Sequence, residues 1–156
     1  MSEWTDAMKR SRPHELDYIN RIAQNLLKWD LVKIEKFGTP KCTERQEQLI
    51  DAIATYHLEV GVEYWFDELG TFFIRRDAWN PFEDVNCALH IVERTRHLGI
   101  WKIVFPEFDK HLVEFTPHHQ PPIIRVCFTL PTAIAYVAVG FLELKENQNA
   151  AATARV

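Results

Sequence analysis

The chain has 156 residues, 47% of them apolar and 26% charged, with a formal net charge of −4 and a pI near 6.0. The apolar fraction excludes a disordered chain, and the length makes metals or disulfides unnecessary for folding. The acidic balance leaves no overall footprint for nucleic acid, whose binding rests on phosphate neutralisation, and the polar start Met1–Asp6 lacks the apolar core of a secretory signal, so a cytoplasmic location is expected.

Residues 1–12 are charged and aperiodic and read as a flexible lead-in to one domain over 13–145. Pro13 supplies the fixed φ of a first helical position, and Leu16, Ile19, Ile22, Ala23 and Leu26 recur at helical spacing, which predicts a helix over 13–28. Leu31–Phe37 suits a short strand or extended connection, ended by Gly38-Thr39-Pro40. Thr43 and Gln46 form a capping-box signature for a second helix over 44–60, with Leu49, Ile50, Ile53, Ala54 and Leu58 on its apolar face and Gly61 as its stop.

From Val62 the period changes. Val62–Phe66 and Thr71–Arg75 are rich in aromatic and β-branched residues and read as a hairpin across Asp67–Gly70. Asn80, Pro81 and Glu83 then supply a cap, a fixed φ and a third-position carboxylate, predicting a helix over 80–98 that buries Val85, Ala88, Leu89 and Val92. Ile100–Phe105, His111–Phe115 and Ile123–Phe128 are three further strands. Pro131 opens a last helix to Leu144, apolar nearly all round and so expected to be covered on most sides. Its apolar core, Ala133–Leu142, is about half of the roughly 20 residues that cross a bilayer, so no membrane partner is expected. Residues 146–156 have no apolar period and read as a disordered tail. The pattern is α+β, with about four helices on a mixed or antiparallel sheet.

Few residues carry obvious chemistry. No glycine-rich phosphate loop, His-Glu-x-x-His or Gly-x-Ser-x-Gly occurs, and the only serines are Ser2 and Ser11 in the lead-in, so neither a cofactor nor serine catalysis is expected. Cys42, Cys87 and Cys127 are odd in number and far apart, which favours buried spectator thiols over a disulfide or zinc site. His118 and His119 are the most metal-like pair, but adjacent side chains of an extended segment point opposite ways. His90 and His97 lie about two turns, roughly 10 Å, apart on the predicted helix, so no metal is expected. Arg75 and Arg76 precede a helix start that would attract anions, yet Glu83 and Asp84 place like charge in its first turn, which favours a capped helix beside solvated arginines.

The segment from Trp65 to Phe108 is unusually aromatic, with Phe66, Phe72, Phe73, Trp79, Trp101 and Phe105 between. Most of these residues are expected in the core, and any exposed remainder would mark a binding surface. Tryptophan and arginine most often dominate interface energy. The candidate surface is therefore Trp65, Arg75, Arg76 and Trp79, where the hairpin meets the predicted helix start.

The run Trp79-Asn80-Pro81-Phe82-Glu83-Asp84-Val85-Asn86-Cys87-Ala88-Leu89-His90-Ile91-Val92-Glu93 resembles the phage ABA-sandwich domain family, whose members carry a Trp-Asn-Pro-x-x-Asp helix start. Ile22–Trp29 is similar to the family's opening helix and Leu130–Ala135 to its alanine-rich closing helix, with Lys28 standing where members have glycine and 39–61 reading as an inserted helix. The resemblance implies a three-layer α/β/α sandwich encoded by a bacteriophage or prophage and acting in the bacterial host cytoplasm, with no established enzymatic activity. It gives Trp79, Asn80, Pro81 and Asp84 structural roles, an aromatic anchor and a helix cap. Two readings follow. One is a non-catalytic binding module for a host protein or a small ligand, compatible with a homo-oligomer and with countering host defence; the other is a nucleic-acid-associated accessory factor or small enzyme.

Overall fold

The computed structural model describes residues 13–34, 58–68 and 72–154. Helix α1, Pro13–Arg21, widens into a π-helical turn at Ile22–Leu26. The face expected from its spacing is the one that packs: Ile19, Ile22, Ala23 and Leu26 are buried and Leu16 is half-buried. The helix end is closed by backbone bonds from Leu27 to Ile22 and from Trp29 to Ala23, for which Lys28 takes a left-handed φ of 60°.

Strands β1 (Asp30–Lys33), β2 (Glu63–Phe66) and β3 (Phe73–Arg75) form an antiparallel sheet in that order. β2 and β3 are the hairpin expected over 62–75, fastened by the Asp67 N–H on the Phe72 carbonyl at 3.1 Å and the Phe72 N–H on Asp67 Oδ1 at 3.2 Å. The lead-in 1–12 and most of the expected 44–60 helix lie outside the described residues. Leu58–Val60 are not helical, and Gly61 sits in a turn with φ 83°.

The helix expected over 80–98 is shorter and starts later. Helix α2 spans Val85–Arg94, and its cap is Asp84, whose Oδ1 accepts from the Asn86 N–H at 2.8 Å and the Cys87 N–H at 3.4 Å. Asn80 instead closes a buried turn before the helix: its Oδ1 accepts from the Phe82 N–H at 3.1 Å and its carbonyl from the Asp84 N–H at 2.9 Å. Both residues are good caps, and the one nearer the tertiary anchor Trp79 is taken up by the turn. Of the face expected to be buried, Ala88 is buried and Val92 packs against the core, joined by Cys87 and Ile91, while Val85 and Leu89 stay exposed. A 3₁₀ turn at Arg96–Leu98 follows.

Strands β4 (Gly99–Glu107), β5 (Lys110–Pro117) and β6 (Ile123–Cys127) form a second antiparallel sheet in chain order. The fold class is thus α+β, and the described residues hold two three-stranded antiparallel sheets in place of the one expected, with three α-helices. Helix α3 runs Leu130–Ala154, well past the expected end at Leu144 and through most of the expected tail. Glu146 on that extension meets Arg21 of α1 at 2.7 Å. Buried Ala133–Ala135, Val137–Val139, Phe141 and Leu142 let α3 contact β5 and β6 on one side and α2 and the π turn on the other. None of the described helices is long and apolar enough to cross a membrane.

Candidate functional site

Side chains alternate between the two faces of a strand, so the register of β4, β5 and β6 sorts the second sheet. Trp101, Phe115 and Ile123 form one cross-strand row and Ile103, Val113 and Arg125 the next, on the face that α3 covers. The opposite face carries Ile100 with Thr116, then Lys102, Glu114 and Ile124, then Val104, Leu112 and Val126. An antiparallel sheet with one solvated face ordinarily makes that face polar. Here it is mostly apolar and open: Ile100 is 70% and Val126 52% exposed. Phe128, 77% exposed, extends it past the end of β6 and Phe108 lies exposed at the β4–β5 turn, whereas exposed Phe105 falls on the other face with its ring 5.3 Å from that of His111.

Val126, Cys127 and Phe128 also wall a cavity of about 530 Å³ between the end of β6 and the start of α3. Its polar lining is Glu15, Glu83, Lys110, Thr129, Thr132 and Tyr136. These groups are held in place. The Tyr136 hydroxyl donates to Glu15 at 2.7 Å, the Thr129 hydroxyl to Thr132 at 2.7 Å, and the Thr132 hydroxyl to the Phe82 carbonyl at 2.9 Å. Burial pushes the Cys127 thiol up, against a smaller opposite pull from Arg125, so at neutral pH it offers the cavity a neutral, weakly polar group. Apolar walls with a few fixed polar groups suit the seating of one side chain or a small molecule.

The surface expected at Trp65, Arg75, Arg76 and Trp79 is not a joint aromatic surface. Trp65 and Trp79 are fully buried, and the Trp79 indole donates to the Ile19 carbonyl at 3.2 Å. Arg75 donates two parallel hydrogen bonds to the Asp77 carboxylate, both at 2.8 Å, and lies 3.4 Å from Glu59, and Arg76 meets Glu63 at 3.1 Å. The arginines therefore border a small cavity with their charge answered from within the chain, and helix α2 begins too far along to add its N-terminus. Pro81 is buried in the turn, while Glu83 is exposed and lines the cavity beside α3.

The remaining sequence candidates are separated. His118 lies on the turn after β5 with Nε2 at 3.0 Å from the His97 carbonyl, and His119 takes a left-handed φ of 61°. His90 stacks on Phe72 at 4.3 Å, and no three metal-binding side chains gather among the described residues. The Cys87 thiol is pushed up to about 11 by burial and lies 3.5 Å from the Ala78 carbonyl. Cys42 lies outside the described residues.

Sequence reasoning passed over the open sheet face. The available signal was the doubled apolar character of its strands: Ile100-Trp101, Val104-Phe105 and Leu112-Val113 supply apolar side chains to both faces, whereas one helical layer covers only one. No protein-family model, curated protein or solved structure matches this chain, so the functional reading rests on these residues.

Proposed function

We propose that the protein is a non-catalytic binding module, a phage accessory factor of the kind its Trp79–Glu93 run suggests, that docks a helix of a host protein on the outer face of β4–β6. The observation that carries this reading is the apolar cluster of Val104, Leu112, Ile124 and Val126, with Ile100 beyond Lys102, on a face open to solvent. Contiguous apolar patches of this kind mark interaction surfaces. An amphipathic helix suits an open three-stranded sheet, because its apolar stripe covers the apolar cluster while its polar face stays in water. Such a helix would also complete the three-layer α/β/α arrangement.

The aromatic rim and the cavity give the partner an anchor. A side chain passing Val126 and Phe128 reaches Glu15 and Glu83, and a lysine or arginine there would keep its stem on apolar wall and its charge beside carboxylates. Lys102 and Glu114, paired across β4 and β5, leave the face without a net basic character, which disfavours nucleic acid.

The test replaces exposed residues. Ile124→Glu with Val126→Glu is expected to leave thermal stability nearly unchanged, since neither side chain is in the core, and to abolish retention of a host protein that the wild-type chain retains. Equal retention by the variant would refute the reading.

A further inference from the structure

A second cavity, of about 340 Å³, lies where the turn after the π helix, the end of β2, the end of α2 and the middle of α3 come together. We propose that it is a binding site for a small phosphorylated molecule, independent of the open sheet face. Four basic side chains from four segments border it: Lys28, Arg94, His97 and Lys145. Lys28 and Lys145 make no ion pair with any carboxylate among the described residues, and Lys145 rests only against the Phe141 ring, at 5.4 Å.

Arg94 is the fixed member. Its Nε donates to His90 Nε2 at 3.2 Å, its Nη1 lies 3.6 Å from Asp67 Oδ2, and its guanidinium stands over the Phe72 ring at 5.4 Å. These contacts engage Nε and Nη1 and leave Nη2 without a partner among the described residues. A guanidinium so held offers one fixed charge-assisted donor to an oxyanion.

Lys28 is held by its backbone. It occupies the left-handed conformation that glycine takes at no cost and a lysine at the expense of backbone strain. The backbone bonds that close the π-helical turn hold Lys28 in that conformation at the edge of the cavity. Asp67 and Glu68 also line the space. Asp67 is spent on Arg94 and on the Phe72 N–H, so Glu68 opposes Lys28 and Lys145, and the three permanent cations outnumber the two carboxylates. A dianion satisfies such dispersed cations better than a single carboxylate does. The walls of Leu26, Trp29 and Leu98 leave room for an apolar body of a few atoms behind the phosphate.

Calorimetric titration of the full chain at low salt tests this, with phenyl phosphate and inorganic phosphate as probes. Phenyl phosphate should bind, and bind more tightly than inorganic phosphate. Lys28→Gly and Lys145→Ala should each weaken it about tenfold, the loss of one charge-assisted contact. Lys28→Gly removes strain as well as charge, so its melting temperature should not fall, which keeps the affinity loss free of any folding defect. Arg75→Ala should bind as the wild type does. Absence of binding up to about 10 mM, tenfold above a millimolar dissociation constant, would overturn the proposal. So would wild-type affinity in both lysine variants, or an equal loss in Arg75→Ala.

Discussion

Arg94 Nε donates to His90 Nε2 at 3.2 Å, one turn apart on α2. Since an arginine nitrogen can only donate, this bond requires the imidazole to be neutral at Nε2. Burial, with Arg94 adding to it, lowers the His90 pKa below its ordinary 6.5, against weaker opposite pulls from Asp67 and Glu93.

The sign of the pH effect follows. Below about pH 6.5 the unfolded chain takes up a proton that folded His90 resists, so the stability this site contributes is complete above that pH and is lost as pH falls toward the depressed folded value. Urea midpoints for wild type and His90→Gln at pH 7.5 and 5.5 check it. The wild type should lose more stability on acidification than the variant; an equal loss would remove His90 from the account.

Asp84 and Asn80 exchange the roles that the sequence suggests. Asp84→Ala should cost about 0.5–2 kcal/mol, the value of one helix cap, and should speed amide exchange at Asn86 and Cys87. Asn80→Ala should leave those two amides protected and expose the Phe82 N–H instead. Hydrogen exchange followed by NMR separates the two outcomes.

Lys28→Gly should stabilise the fold by about 0.5–1 kcal/mol, the left-handed penalty less glycine's greater freedom in the unfolded chain. Lys28→Ala keeps the backbone penalty and should give no gain. Paired denaturant melts of the two variants check the prediction.

Gly99 opens β4 where the strand passes close beneath β5. A Cβ there would run into the Thr116 carbonyl oxygen and stand 2.8 Å from two ring carbons of buried Phe115. Gly99→Ala should therefore destabilise by about 1–3 kcal/mol, as overpacking does, and its melting temperature should fall accordingly.

These sites also show what the sequence could disclose. The buried stripe of α1 and the β2–β3 hairpin were legible because each follows from local periodicity. The start of α2 was not, because Asn80-Pro81 and Asp84 offer two sound caps within one turn, and the choice falls to distant partners. The Trp79 indole reaches Ile19, and Thr132 reaches the Phe82 carbonyl. The extension of α3 is equally non-local, since Glu146 meets Arg21 across a separation of 125 residues. Most of the aromatic run from Trp65 to Phe108 was expected in the core, and the division between its buried and exposed members depends on where α3 lies. That helix buries Phe115 and Val113 and leaves Phe105, Phe108 and the outer row uncovered.

The most direct test of the open face as a docking surface is site-specific photocrosslinking. A benzophenone side chain placed at Ile124, on the outer face, and in a second variant at Asn86, exposed on α2, compares the two sides of the molecule in a bacterial lysate. The account predicts a discrete covalent product with a host protein from position 124, absent from position 86 and lost when Val126→Glu is added. A product at twice the mass of the chain would seat a second copy on the face in place of a host protein. The same products from both positions, or none from position 124, would contradict the claim that the outer face of β4–β6 is where this protein binds.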